Sequence, residues 1–149
     1  MADMQICDQQ YTCSQYNLIR KMLRELGVPV YRKGFRQLVV AIYLFQQDDE
    51  QSLTKELYPG VAKMIGGIDW RRAERDIRTA IHCAWENRDV DIWNLYFPGL
   101  SRNPSNKAFI ATLTEYLRYT AHFGGENIHS EMLLCHSHPI IQVVSQAEL

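Results

Sequence analysis

Two segments with helical periodicity, separated by the adjacent glycines Gly66 and Gly67, occupy the middle of this 149-residue sequence. The first segment is short, from about residue 59 to residue 65, and it tolerates Pro59 because that residue falls in the first turn. Asp69 precedes the second segment, and its carboxylate can accept hydrogen bonds from the free N–H groups of a first helical turn. The pattern predicts a short helix, a tight turn and a longer helix that Asp69 caps and that runs to about Glu86.

The longer of the two predicted helices is amphipathic. At about 100° per residue, its apolar residues share one face: Ala73, Ile77, Ala80, Ile81, Ala84 and Trp85. The opposite face carries basic and polar residues: Arg71, Arg72, Arg75, Thr79 and His82. This order of helix, turn and basic helix is typical of a helix-turn-helix, in which the second helix enters the major groove of DNA.

Arginine suits that geometry, because its planar guanidinium can bond guanine O6 and N7 or hold a phosphate. Glu74 can accept a hydrogen bond from cytosine N4. The competing interpretation is an ordinary exposed helix, which two ion pairs at four-residue spacing would stabilise: Arg72 with Asp76, and Glu74 with Arg78. Pattern alone leaves both interpretations open.

Four further helices are predicted, over residues 14–26, 34–45 and 90–96 and from after Ser105 to Tyr119, because apolar residues recur there at three- and four-residue steps. The expected fold is all-α, a six-helix bundle containing a helix-turn-helix. From Ala121 onward Gly124 and Gly125 interrupt helical structure and short apolar runs flank Pro139, which predicts an irregular or short-stranded C-terminal tail. The expected division is an N-terminal extension (1–13), a helix-turn-helix domain (14–120) and the tail (121–149).

Composition narrows the class of protein. Apolar residues make up 46% and charged residues 22% of the chain, which is typical of a globular protein. The longest apolar run, residues 38–45, is shorter than the roughly 20 residues of a membrane-spanning helix. Residues 1–13 lack the basic and apolar parts of a secretory signal, so cytoplasmic residence is expected. The net charge is −1, and a DNA-binding chain of this kind must concentrate its basic residues on one face.

Other candidate sites are weaker. The four cysteines lack C-x-x-C spacing, so no disulfide framework or four-thiolate zinc site is expected: Cys7, Cys13, Cys83 and Cys135. Four tail residues have side chains that can bind a metal: His129, Cys135, His136 and His138. In a strand, however, His136 and His138 would share a face while Cys135 points away. No metal site and no cofactor are therefore expected.

A catalytic site is also not expected. His82 and Cys83 are neighbours on a helix, where adjacent side chains diverge by about 100° and cannot readily hydrogen-bond to each other. No other acid, base and nucleophile form a coherent set, so the chain is not expected to be an enzyme. Trp85 and Trp93 fit apolar faces and are expected in the core, whereas the role of Trp70 stays open.

Several short motifs follow one another over about two thirds of the chain. The first two groups are Leu26-Gly27-Val28-Pro29 with Lys33-Gly34-Phe35, and Leu57-Tyr58-Pro59 with Val61-Ala62-Lys63. The next are Arg72-Ala73-Glu74-Arg75-Asp76-Ile77-Arg78 with Ala80-Ile81 and Ala84-Trp85, and finally Pro104-Ser105-Asn106 before Phe109-Ile110-Ala111. In this order and spacing they resemble the C-terminal effector domain of the stage zero sporulation protein A family, the master sporulation response regulators of endospore-forming bacteria. The resemblance implies a six-helix domain that binds a short promoter box as a tandem pair of subunits and acts at RNA polymerase.

The resemblance also implies roles for individual residues. Four residues correspond to the R-x-E-R-x-x-R pattern that faces bases and phosphates in the family: Arg72, Glu74, Arg75 and Arg78. Lys63, at the end of the bracing helix, and Arg71 are expected to add phosphate contacts. Residues 87–95 match the surface through which the family touches the polymerase sigma factor. The expected function is a sequence-specific double-stranded DNA-binding transcription regulator that forms a homodimer on DNA. The alternative is a protein-interaction module that keeps the helix-turn-helix scaffold and binds a regulator or sigma factor.

The sequence also departs from the family pattern. No receiver domain accompanies the effector-like segment, so control by aspartyl phosphorylation is not expected within this chain. The turn at residues 66–70 is one residue longer than the family's. Asp76 replaces a small residue and Arg71 replaces a serine, so a different promoter box is expected. The tail beyond Thr120 has no counterpart in the family.

Overall fold

The structure is a computed structural model that describes residues 2–123, with side-chain packing described for residues 14–120. This part of the chain forms six α-helices and no strand: α1 (Ala2–Glu25), α2 (Lys33–Gln47), α3 (Tyr58–Ile65), α4 (Trp70–Glu86), α5 (Val90–Tyr96) and α6 (Asn106–Phe123). A π-helical turn, Leu53–Leu57, leads directly into α3. The predicted all-α, six-helix fold is confirmed. Among the described helices, none combines the length and the apolar character needed to cross a membrane.

Two helices differ from their predicted bounds by more than two residues at one end. Helix α1 begins at Ala2, so the predicted start at Ser14 is wrong. Residues 2–13 contain no glycine or proline to stop a helix, and half of them are polar, which makes the helical period weak. Helix α6 continues to Phe123, past the predicted end at Tyr119. The predicted irregular or short-stranded tail, with its candidate metal ligands, lies outside the described residues from 124 onward.

Helix α2 is the centre of the bundle, as its apolar sequence predicts. It packs against α1, α3, α4 and α6. Leu38, Ala41 and Ile42 on this helix have no solvent exposure. A helix that is apolar around most of its circumference is stable only when neighbours cover it on every side. The helix-turn-helix therefore rests on a helix that is largely buried.

Gly34 allows α2 and α4 to pack closely. A Cβ atom at this position would lie 2.3 Å from the Asp76 carbonyl oxygen and 2.7 Å from the Ala80 Cβ. Real Cβ atoms do not approach backbone oxygens so closely, and only glycine leaves the required space. The sequence motif around Gly34 therefore determines where α4 lies.

Aromatic residues of α5 and α6 close the opposite end of the core. The Trp93 indole donates a 2.9 Å hydrogen bond to the Leu26 carbonyl, and its ring meets Trp85 edge-on at 5.5 Å between centroids. The Tyr116 hydroxyl donates to the Leu95 carbonyl at 2.6 Å. Trp93 is buried and Trp85 is partly buried against the same core, so both tryptophans pack as predicted.

Candidate nucleic-acid interface

The turn between α3 and α4 depends on two glycines. Gly66 and Gly67 have φ values of +80° and +74°, in the left-handed region that residues with a side chain rarely adopt. Asp69 follows in an extended conformation, and its Oδ1 accepts a 2.8 Å hydrogen bond from the Arg72 N–H. The predicted cap is confirmed, and α4 begins at Trp70.

Helix α4 presents a basic surface to solvent. Four of its arginines are exposed and form what we call the arginine stripe: Arg71, Arg72, Arg75 and Arg78. Thr79 and His82 are exposed along the same side. The buried side consists of Ala73, Ile77, Ala80, Ile81 and Ala84. This division agrees with the helical period and leaves the first turn of α4 without an acidic residue.

Arg71 and Arg75 are the two stripe residues that make no ion pair within the described part of the chain. The Arg71 guanidinium lies over the Trp70 ring, 5.4 Å from its centroid, in a cation–π arrangement. Trp70 is half-buried. The role that the sequence leaves open for Trp70 is thus to support an arginine at the start of α4.

Asp76 lies at the border of the stripe. Its carboxylate accepts a 2.8 Å hydrogen bond from the Gln37 amide on α2, and its Oδ2 lies 3.9 Å from the Arg72 Nε. The side chain of Asp76 is only 24% exposed. The predicted pair with Arg72 is present, but the carboxylate is also anchored to α2.

Glu74 occupies the other border of the stripe. Its carboxylate pairs with the Arg78 guanidinium, as the four-residue spacing predicts. The Arg78 side chain is 68% exposed. The structure therefore places Glu74 beside the arginine stripe and in an ion pair, so a base contact by Glu74 requires Arg78 to release its carboxylate.

Lys63 lies in the last turn of α3, and its side chain is exposed. Helices α3 and α4 pack against each other. The six residues singled out from the sequence thus lie on the two helices of the helix-turn-helix, five on α4 and one on α3.

A residue outside the helix-turn-helix holds its two helices together. The Asn106 side-chain amide, at the start of α6, donates to the Tyr58 hydroxyl at 3.0 Å and to the Glu74 carbonyl at 3.3 Å. The pKa of Tyr58 is raised, because burial raises it by more than the hydrogen bond from Asn106 lowers it. The motif at residues 104–106 was visible in the sequence, but nothing local indicated that it contacts α3 and α4.

A histidine–thiol pair and a metal site are the two other kinds of site that the sequence raises. Cys83 is a half-buried free thiol, and the neighbouring His82 lies 3.8 Å from Glu86 rather than in a pair with the thiol. Within the described residues, no three histidine, cysteine or acidic side chains are grouped to hold a metal ion. The arginine stripe is the chemically distinctive surface of α4.

A family model described as sporulation initiation factor Spo0A C terminal matches residues 19–117, about two thirds of the chain. The match extends from the second half of α1 through most of α6. It includes Lys63 and the whole of α4.

Proposed function

Because the chain belongs to the family of Spo0A C-terminal domains, we propose that it is a sequence-specific double-stranded DNA-binding transcription regulator. The family is one of DNA-binding sporulation regulators and is not an enzymatic one. The observation that carries the proposal is the exposed arginine stripe of α4, which directly follows the turn at Gly66 and Gly67. Because these guanidinium groups are already exposed, they can donate hydrogen bonds to a ligand without a change in the packing of the protein.

The proposed mechanism assigns the first two turns of α4 to the major groove. A groove about 12 Å wide admits one α-helix, and arginines near its N-terminus can reach guanine O6 and N7. In this proposal Arg72 and Arg75 contact bases, while Arg71, Arg78 and Lys63 contact phosphates. Glu74 accepts from cytosine N4 when Arg78 turns to a phosphate, which exchanges one ion pair for two contacts to DNA.

Selection of bound sequences from a random duplex pool tests the proposal. An enriched box is expected. Arg75→Ala should then weaken binding by roughly 1–3 kcal/mol and relax the sequence preference, while Lys63→Ala should weaken all duplexes evenly and flatten the salt dependence. Lys21→Ala, which removes an exposed charge from α1, is the matched control. Absence of any enriched box, with retention lost at moderate salt for every sequence, would refute the proposal.

We further propose, from the family resemblance, that residues 87–95 contact the polymerase sigma factor and that two copies bind adjacent half-sites. The exposed part of α5 carries an apolar side chain, Val90, which is 56% exposed, next to Asp91 and Asn94. An exposed apolar residue among polar ones suits a protein contact. Binding of purified sigma factor should weaken on Val90→Ser, and the mass of the complex on the selected duplex should correspond to two chains.

A second candidate function is a protein-interaction module that binds a regulator or sigma factor rather than DNA. A groove of about 380 Å³ between α1, α2 and the end of α3 favours it. The groove is lined by apolar residues, among them Phe35, Val39 and Met64, with Arg20 and Arg36 beside them. Pull-down of purified sigma factor in the presence of nuclease separates the two functions, because a DNA-bridged contact disappears and a direct contact persists.

A further inference from the structure

The segment that leads into α2 and includes its first residue lies beside the exposed, basic side of α4. Three consecutive residues, Tyr31, Arg32 and Lys33, line an open surface depression of about 350 Å³ together with Gly34, Asp76 and Thr79. We call these three residues the 31–33 segment. Asp76 and Thr79 belong to the side of α4 that also carries Arg72. The 31–33 segment therefore forms one wall along the arginine stripe.

The side chains of the 31–33 segment are available to a ligand. Tyr31 is 82% exposed, and Arg32 and Lys33 are exposed as well. Neither basic residue takes part in an ion pair within the described part of the chain. The acidic residue that lines the depression is Asp76, whose carboxylate is already bonded to Gln37 and paired with Arg72. The 31–33 segment thus offers one hydroxyl, one guanidinium and one ammonium group as hydrogen-bond donors, and its side chains carry a net positive charge.

The position of the 31–33 segment relative to α4 is set by packing. Gly34 follows it directly and lies against the Asp76 carbonyl, where no larger residue fits. Two backbone hydrogen bonds hold the segment itself, from the Arg32 N–H to the Pro29 carbonyl at 3.2 Å and from the Phe35 N–H to the Arg32 carbonyl at 3.1 Å. A ligand that meets α4 therefore also meets a basic wall whose backbone is already held in place, so binding does not have to order that backbone.

We propose that the 31–33 segment is a phosphate clamp, which binds the DNA backbone strand alongside the major groove that α4 enters. This inference rests on the proposed function. A helix in the major groove has a phosphate strand on each side, and donors that flank the helix meet phosphates rather than base edges. Arg32 and Lys33 donate charge-assisted hydrogen bonds to phosphate oxygens, and the Tyr31 hydroxyl adds a neutral one. The clamp sets the position of α4 on the duplex without itself distinguishing bases.

The test is the double variant Arg32→Gln/Lys33→Gln, measured on the duplex selected by the unmodified chain across a range of salt concentrations. Loss of two phosphate contacts should make the negative slope of log K against log salt shallower by about 1.8 and weaken binding to every duplex by the same factor. Tyr31→Phe should produce a smaller, equally uniform loss. The matched control is Lys21→Gln/Arg24→Gln, which removes the same net charge from exposed positions of α1. Helical content by circular dichroism checks that each variant is folded.

The outcomes separate this inference from the proposed function. If the double variant and the α1 control share one salt slope, while Arg75→Ala still relaxes the preference, the clamp is wrong and the DNA-binding function stands. If the double variant changes which sequence is preferred, the segment contacts bases and the clamp is again wrong. If the unmodified chain enriches no duplex, the proposed function and the clamp both fail.

Discussion

The Gln37 side-chain amide donates a 2.8 Å hydrogen bond to the Asp76 carboxylate across the contact between α2 and α4. Gln37 is only 2% exposed, and its Oε1 is buried without a hydrogen-bond partner. Asp76 is thus the acceptor that makes the burial of the Gln37 amide tolerable. A residue that the sequence pairs with Arg72 on the surface of α4 is therefore also part of the packing between two helices.

Replacement of Asp76 should reveal this structural role. Asp76→Ala leaves the Gln37 amide buried without its acceptor, so the free energy of unfolding should fall by about 1–3 kcal/mol. Adding Gln37→Leu removes both polar groups of that side chain and should recover most of the loss. Urea denaturation of the two single variants and the double variant measures the coupling. Strictly additive losses would show that the two side chains do not interact.

Asp76→Asn should affect DNA binding more than stability. The asparagine oxygen can still accept the hydrogen bond from Gln37, but the negative charge 3.9 Å from the Arg72 Nε is gone. Arg72 is then free to approach DNA, and affinity for duplex should rise severalfold at low salt, where electrostatic contacts are least screened. Fluorescence anisotropy at two salt concentrations measures the change. Unchanged affinity would mean that Asp76 does not restrain Arg72.

Gly34→Ala should destabilise the bundle by about 1–3 kcal/mol, because overpacking forces the backbone to shift. The added methyl group would meet the Asp76 carbonyl oxygen, which cannot move without moving α4. Gly60→Ala in α3 is the matched control, since its nearest contact is the Leu44 Cδ1 at 3.2 Å, the end of a flexible side chain. Thermal unfolding of both variants compares them. Equal melting temperatures would contradict close packing at Gly34.

Asn106→Ala should loosen the helix-turn-helix. The variant loses two hydrogen bonds, to the Tyr58 hydroxyl and the Glu74 carbonyl. The free energy of unfolding should therefore fall by about 1–3 kcal/mol. The control is Asn103→Ala, an exposed position whose amide lies 3.5 Å from the His82 ring, where a change within about 0.5 kcal/mol is expected. Hydrogen exchange of the backbone amides in α3 and α4 locates the effect. Exchange there should be faster in Asn106→Ala and unchanged in Asn103→Ala.

Stability should decline at alkaline pH because of two buried tyrosines. Burial raises the pKa of Tyr116, and burial followed by the nearby Glu25 charge raises that of Tyr96. The folded state therefore favours the neutral phenols, and their contribution is fully present below the unfolded pKa of about 10 and is lost as pH rises toward the folded pKa. Urea midpoints between about pH 8 and 11.5 measure the decline. Tyr116→Phe, which has no phenol to ionise, should show a shallower one.

Much of the helix-turn-helix could be predicted because its signals are local. Gly66 and Gly67 supply the left-handed turn, Asp69 caps the next helix through a residue three positions away, and the helical period sorts α4 into a buried and a basic side. The start of α1 was missed because half of residues 2–13 are polar, so the local apolar signal for a helix is weak. Membership of the family was also visible in short motifs at nearly constant spacing.

The sequence by itself therefore determined the helices, the turn and the arginines of α4, because each depends on neighbours within one or two helical turns. Only the tertiary structure decided which side chains bond to residues that are distant in the sequence. Asp76 bonds to Gln37, 39 positions away, and Asn106 reaches Glu74 across 32 positions. Both contacts depend on how helices cross, and the close approach of α2 to α4 requires the space at Gly34. The same crossing places Tyr31, Arg32 and Lys33 beside α4, a juxtaposition that no local pattern encodes.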